Sequence, residues 1–330
     1  MTPAPGSTPR PIPQRIAVVG AGTMGRQIAA MAAAHGQTVT LYDVVPGAIE
    51  GAMARLREEL PPVFASGFWP GDIESVLDNL RPETDLAAAV GGAELVIEAV
   101  KEDLAIKRAV FADLAALAPG AILATNSSSL PSARIADAIP DPERLLNLHF
   151  FAPIWDRAML EVMSSGTTDP AIMDACAAWG RGCGLAVAVV QGQSMGFIIN
   201  RVWRAIKRES LRVVDEGHAD PEDIDRLFMG FFGSSFGPFG MMDTVGLDTV
   251  ADIERSYVAV AEDPTDRVSP NLLRMVEAGT LGEKSGQGFY AHPDPAYRRP
   301  GFMTGNPGTQ GAGDRSSDPA TDPVVPDTAP

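Results

Sequence analysis

His149 and Glu161 stand twelve residues apart in LHFFAPIWDRAMLEVM, each within or beside a short apolar run of strand type. A histidine gains or loses a proton near neutral pH, so it suits proton transfer to or from a reacting oxygen. A carboxylate on its other ring nitrogen would fix the tautomer and stabilise the imidazolium. With four histidines in the chain, a structural histidine is the default reading of the pair alone. A second constellation lies upstream. Gly20, Gly22 and Gly25 form G-x-G-x-x-G in GAGTMG, with Thr23 and Met24 between the last two glycines. Gly20 permits a tight turn, Gly22 leaves room for a pyrophosphate, and Gly25 lets helix and strand pack closely. Asp43 follows about 20 residues later, where a carboxylate accepts from ribose hydroxyls. It would repel a 2′-phosphate, and Val44 and Val45 offer no arginine to hold one. The pattern therefore implies NAD rather than NADP.

These residues need a scaffold, and the periodicity supplies one. RIAVVG reads as a strand ending at Gly20, TMGRQIAAMAAAHG as a helix closed by Gly36, and TVTLYD as a second strand. Strand, helix, strand is the βαβ unit of a parallel sheet. Helices are expected near 47–60, 71–80, 102–117 and 170–183. Further strands are expected at LVIEAV, AILATN, LLNLHF, MLEVM and AVAVVQ. After about residue 192 the period becomes helical, through FIINRVWRAIKRESLRVVDEG, PEDIDRLFMGFF, GLDTVADIERSYVAVAED and SPNLLRMVEAG. Only GFY at 288–290 suggests a later strand. The expected fold is an α/β Rossmann-type doubly wound domain over 14–192, followed by an all-α domain over 193–295. Residues 1–13 read as a flexible arm, and 296–330 as a disordered tail too polar to bury a core.

Composition narrows the function. The chain of 330 residues carries a net charge of -16, which argues against a nucleic-acid partner. No apolar run reaches the ~18–20 residues of a membrane span, and the N-terminus lacks the apolar stretch of a secretory signal. Cys176 and Cys183 have no metal-ligand spacing, so no metal is expected, and they suit a reducing, cytoplasmic setting.

Taken together, GAGTMG, Asp43, IEAVKEDLAIK, ATNSSSL, HFFAP with its later glutamate, GFIINR, GPFGMMD and KSGQGFY resemble the 3-hydroxyacyl-CoA dehydrogenase family from about Arg15 to Tyr290. The resemblance implies NAD-dependent interconversion of an L-3-hydroxyacyl thioester and its 3-oxoacyl form. His149 would be the general base and Glu161 its orienting partner. Ser128 and Asn200 would hold the substrate oxygen. Glu98, Glu102 and Lys107 match the segment beside the cofactor, with Glu102 and Lys107 as its contacts and Glu98 equally readable as part of a solvated helix start. Asn126 would lie near the nicotinamide. A homodimer formed through the helical domain is also implied.

The chain departs from the family at several positions. Only Arg55 and Arg57 supply bases between Asp43 and Gly71, where the family places lysines against CoA. Ala152 replaces an asparagine, and Met195 a proline. Trp155, Asp156 and Arg157 follow HFFAP. Arg157 could hold a carboxylate and Trp155 could wall off a small pocket, unless both merely pack a loop. These departures imply that a CoA handle contributes less binding here than is usual. They leave open a free hydroxy acid, as in gulonate or carnitine dehydrogenases, and a hydroxyacyl group on an acyl carrier protein. A cofactor-binding protein without turnover is a third alternative, which the intact set of four site residues opposes.

Overall fold

The protein is described by a computed structural model over residues 10–261 and 263–305. Most of the expected arm and residues 306–330 of the expected tail lie outside the described residues. The chain divides into two compact units between Val202 and Trp203.

In the first unit, strands β1 Arg15–Val19, β2 Thr38–Tyr42, β3 Leu80–Glu83, β4 Leu95–Glu98, β5 Ile122–Thr125, β6 Leu145–Phe150, β7 Met159–Ser164 and β8 Ala186–Val190 form one sheet. Their order is β3-β2-β1-β4-β5-β6-β7-β8, and every neighbouring pair is parallel except β6 and β7. Helices α1 Thr23–Ala34, α2 Ala48–Ala65, α3 Ile73–Asn79, α4 Leu86–Val90, α5 Leu104–Leu117 and α6 Pro170–Gly182 connect them. Alternation along β1 shows why the strand is continuously apolar. Ile16 and Val18 enter one core, Ala17 and Val19 the other, so both faces of the sheet are covered. Asp72, Asp85, Asp103 and Asp169 cap the helices α3 to α6 through backbone N–H groups.

Two short elements, β3 and α4, carry no period that would reveal them. The polar LRPE segment with Pro82 survives as a strand because it lies at the sheet edge, where a missing N–H leaves no ladder bond unmade.

The second unit contains most of α7 Ile199–Asp215, then α8 Pro221–Phe232, α9 Pro238–Val245, α10 Leu247–Val258 and α11 Pro270–Glu277. Two fully buried aspartates organise it. Asp225 accepts from the amides of Phe239 and Gly240 at 2.8 Å and from the Tyr290 hydroxyl at 2.9 Å. Asp243 accepts from the amides of Phe289 and Tyr290 at 2.9 Å and pairs with His292 Nε2 at 3.0 Å. A Cβ at Gly237 would fall 2.4 Å from Asp225, and one at Gly288 would fall 2.1 Å from Asp243. GPFGMMD and KSGQGFY are thus the two walls of this acid framework.

The strand expected at 288–290 does not form, because Asp243 has taken the amide donors of Phe289 and Tyr290. Only isolated bridges remain, from Gln287 to Gly282 and Ala291. The unstructured tail likewise does not begin at 296. Tyr297 and Phe302 are buried in the core of this unit, since one aromatic every few residues anchors an otherwise polar stretch. No helix among the described residues is long and apolar enough to cross a membrane.

Candidate active site

The cofactor end is built at the C-terminal edges of β1, β2 and β4. Gly20 has φ +109°, and a Cβ there would lie 2.6 Å from the Ala99 carbonyl oxygen. At Gly25 a Cβ would lie 1.7 Å from the Gly20 carbonyl oxygen, so α1 can cross β1 only without one. Gly22 differs from both, because among the described residues no atom beyond its chain neighbours and its own helix backbone lies within 4 Å of its notional Cβ. Gly22 caps α1 with no side-chain hydrogen bond, and the first turn, including Thr23 and Met24, carries no acid. The helix thus presents unanswered N–H groups and a positive dipole end to open space, which fits a pyrophosphate.

Asp43 is half-buried at the end of β2. Its Oδ2 accepts from Ala21 N at 2.7 Å and its Oδ1 from Val45 N at 2.8 Å. Each oxygen keeps a lone pair for a ribose hydroxyl. Val44 and Val45 are exposed beside it and form an apolar shelf without a cation.

Glu98, Glu102 and Lys107 come together in one cluster. Glu98 is 0% exposed and Lys107 1%. The Lys107 ammonium lies 2.7 Å from Glu98 Oε1, and Thr125 Oγ1 donates to Glu98 Oε2 at 2.7 Å. Lys107 also reaches Glu102 Oε2 at 3.2 Å. The structure therefore places Lys107 beneath the surface, where a long side chain satisfies two carboxylates. Glu102 alone of the three is exposed. Its carboxylate accepts from the hydroxyls of Ser127 and Ser129 and from Ser129 N. Burial opposes its ionisation. The bond from Ser127, the Lys107 charge and the bond from Ser129 nevertheless hold its carboxyl below the usual range. This cluster pins the NSSSL turn. Asn147, buried in β6, pins the other side by accepting from Ser132 N at 2.7 Å and donating to the Leu130 carbonyl at 3.2 Å.

The proton-transfer end is set by strand register. His149 and Glu161 are direct partners across the antiparallel β6–β7 pair. Their side chains therefore emerge on one face, and His149 Nδ1 lies 2.8 Å from Glu161 Oε2. Both residues are 4% exposed. The other oxygen, Oε1, accepts from Ile198 N and Ile199 N, each at 2.9 Å, at the start of α7. Burial again opposes ionisation. The His149 bond and the amides of Ile199 and Ile198 outweigh it, so Glu161 is held below the usual carboxylate range. Two aromatic rings pack against the imidazole, with centroids 4.3 Å away at Phe151 and 4.8 Å away at Phe197. Nε2 has no hydrogen-bond partner among the described residues and is the ring atom left to face a reactant.

Ser128 is exposed, and its hydroxyl is uncommitted among the described residues. Asn200, on the first turn of α7, donates from Nδ2 to the Ser128 carbonyl at 3.4 Å. Asn126 lies at the end of β5, and its Oδ1 accepts from Phe150 N at 3.0 Å, which ties β5 to the strand carrying His149. Ser128, Asn200, His149 and Glu161 thus belong to one connected region of the first unit.

Trp155 is partly buried, packed edge-on to Trp69 at 5.8 Å. Arg157 is exposed and donates to the Ala152 carbonyl at 3.0 Å. Two contributors were not legible from sequence, namely the aromatic pair around His149 and Gln27, whose Oε1 accepts from Ile154 N at 3.1 Å. Gln27 reads simply as one more position of an apolar helix, and no pattern marks Phe151 or Phe197 apart from other core aromatics.

Comparison with known proteins matches residues 15–193 to the family described as "3-hydroxyacyl-CoA dehydrogenase, NAD binding domain" and residues 196–292 to its C-terminal domain. A 3-hydroxybutyryl-CoA dehydrogenase of Mycobacterium tuberculosis is 35% identical over 283 residues, covering 84% of this chain and 98% of the relative. A 5-formyl-3-hydroxy-2-methylpyridine 4-carboxylate 5-dehydrogenase of Mesorhizobium japonicum is 32% identical over 283 residues, covering 84% and 91%. Among solved structures, FadB2 of Mycobacterium tuberculosis superposes with a TM-score of 0.78 at 35% identity, covering 86% of this chain and all of that one.

Proposed function

Because the chain belongs to the 3-hydroxyacyl-CoA dehydrogenase family, with NAD as its cofactor, we propose that His149 and Glu161 work as the base and its orienting carboxylate in oxidising an L-3-hydroxyacyl thioester to the 3-oxoacyl form. The observation that carries this reading is the 2.8 Å bond from His149 Nδ1 to a carboxylate whose second oxygen is held by two amides.

The logic is local. Glu161 is ionised and cannot rotate away without stranding two N–H groups. It therefore accepts from Nδ1–H and leaves Nε2 as the basic nitrogen. Nε2 takes the hydroxyl proton, and the imidazolium so formed sits on a negative partner. Asn200 and the Ser128 hydroxyl hold the substrate oxygen while its charge develops. When bound, NAD would supply the hydride acceptor for the carbinol carbon. Gly20, Gly22, Thr23, Met24 and Gly25 would hold its pyrophosphate, Asp43 its ribose, and Asn126 and Glu102 would border its nicotinamide side. Glu98 and Lys107 position Glu102 and the NSSSL turn from below.

For the substrate, the CoA handle is expected to bind weakly. Arg55 is exposed and pairs with Glu58 at 3.7 Å, and Arg57 hydrogen-bonds its own helix at Met53. One observation favours a second reading, a substrate with a free carboxylate: exposed Arg157 has no acidic partner among the described residues. The relative from Mesorhizobium japonicum carries a carboxylate in its named substrate. The test compares kcat/KM for a 3-hydroxyacyl-CoA, its pantetheine thioester and a free 3-hydroxy acid. A preference below ~100-fold, about 3 kcal/mol, for the full ester over the pantetheine form is expected. A larger one would overturn the weak-handle reading, and a preference for the free acid would select the second.

We also assign the Rossmann-type domain to 14–192 and the helical domain to 193–295, a homodimer, and a cytoplasmic location. Leu227, Phe231 and Phe232 on α8 are 74%, 83% and 65% exposed, an apolar patch that suits a second copy. A monomeric mass by light scattering at micromolar concentration would contradict the dimer. Cys176 and Cys183 are free and buried, which fits a reducing compartment.

A further inference from the structure

Phe197 is the one described non-glycine residue with a positive φ, +55°. It is also 1% exposed, packed with Met163 and Val190. A bulky residue rarely occupies the left-handed region unless its surroundings require it. Three features meet at this residue. Its ring packs against His149 with centroids 4.8 Å apart and planes at 32°, and the Phe151 ring lies 4.3 Å from the same imidazole. The two amides that follow it, Ile198 N and Ile199 N, both end on Glu161 Oε1. The turn is closed locally, with Phe197 N donating to the Ser194 carbonyl at 3.1 Å and Ser194 Oγ to the Phe197 carbonyl at 2.9 Å.

We infer that Phe197 is a positioning residue for the dyad, with two separable parts: its left-handed backbone aims consecutive amides at Glu161, and its ring fixes the plane of His149. The inference rests on the dyad reading above. An extended or right-handed residue at 197 would turn one of the two amides away. Glu161 would then be free to rotate, and Nδ1 would lose its fixed acceptor. The ring acts separately. With Phe151 also packed against it, the imidazole is held where Nδ1 meets Glu161 and Nε2 keeps no partner among the described residues.

The two parts respond differently to substitution. Glycine adopts φ +55° without strain, so Phe197→Gly keeps the turn and loses the ring. Phe197→Ala loses the same ring and weakens the turn as well. Phe197→Leu keeps an apolar cover. The experiment measures kcat, KM and NADH affinity for all three variants. It adds a reading that needs no substrate, the NMR signal of the His149 Nδ1 proton in histidine-labelled protein, assigned by its absence in His149→Gln. Expected are unchanged NADH affinity, a fall in kcat of roughly tenfold for Phe197→Gly and roughly 100-fold for Phe197→Ala, and kcat within a few-fold of wild type for Phe197→Leu. The Nδ1 proton signal should persist in Phe197→Gly and be lost in Phe197→Ala. Wild-type kcat and an intact signal in Phe197→Ala would overturn the inference. Should Phe197→Ala fail to fold, wild-type kcat in Phe197→Gly would remove the role of the ring, and loss of the signal there would remove that of the backbone. A wild-type protein inactive on every hydroxyacyl donor would refute the dyad's function. The signal would still report whether Phe197 sets its geometry.

Discussion

Glu161→Gln is the most informative single change, because the structure dictates which way the amide must face. Oε1 receives two N–H groups at 2.9 Å, from Ile198 and Ile199. A glutamine has one oxygen. Were its NH2 to face those amides, two partly buried donors would lose their acceptor, at a cost of at most ~1–3 kcal/mol each. The oxygen therefore takes the Oε1 place, and the NH2 faces His149 Nδ1, 2.8 Å away in the native protein. A donor now points at Nδ1, so Nδ1 must accept and the ring proton moves to Nε2. The base is blocked at the atom that has to receive the proton, although the fold and the cofactor site are intact. Carboxylate-to-amide changes that trap a catalytic histidine in the wrong tautomer cost about 10⁴ in kcat, equivalent to about 5–6 kcal/mol. The assay is NADH formation at saturating NAD and hydroxyacyl substrate, with NADH affinity measured alongside. A kcat within tenfold of wild type, at unchanged affinity, would refute the argument.

Three other outcomes follow from the same geometry. Asp43 and the uncharged Val44–Val45 shelf should make kcat/KM with NADP at least ~100-fold below that with NAD; equal efficiency would show that Asp43 does not read the ribose. Burial pushes the carboxyl of Asp225 up to about 6 from 3.8, against the bonds from Phe239, Gly240 and Tyr290. The folded state therefore holds a proton there that the unfolded chain releases, so this contribution to stability is complete below 3.8 and lost as pH rises through about 6. The Tm difference between wild type and Asp225→Asn should accordingly shrink from pH ~5 to ~7, and a flat difference would contradict the raised value. Truncation after Gly305 should leave Tm and turnover unchanged, whereas truncation after Asp294 removes buried Tyr297 and Phe302 and should lower Tm by several degrees or more; equal Tm values would show that those rings contribute nothing.

What could be read from sequence followed the distance over which each feature is encoded. GAGTMG and Asp43 are local signals with one physical meaning each, and the βαβ unit around them forms where its period places it. Type and spacing nominate His149 and Glu161, and the resemblance makes them a dyad. That they face each other depends on antiparallel register between β6 and β7, a tertiary fact. Lys107 shows the limit of a motif. The resemblance implied a contact at the cofactor, and the structure pairs its buried ammonium with Glu98, nine residues earlier at the end of β4. β3 escaped notice because an edge strand can be polar and contain proline. The GFY segment looked like a strand because its amide partners are the side-chain oxygens of Asp243, distant in sequence. Phe197 was the least legible residue of all. A left-handed phenylalanine has no sequence signature, and its role emerges only when its two neighbours' amides are traced to Glu161.

The central claim is that this chain oxidises a 3-hydroxyacyl thioester with NAD through His149. It is tested most directly by the initial rate of NADH formation from L-3-hydroxybutyryl-CoA, with wild type and His149→Gln assayed side by side. Expected are a wild-type kcat/KM of ~10⁴ M⁻¹s⁻¹ or more and a fall of ~10²–10⁴ in the variant with NADH affinity unchanged. Absence of NADH formation by wild-type protein that binds NAD, or near-wild-type turnover by His149→Gln, would contradict it.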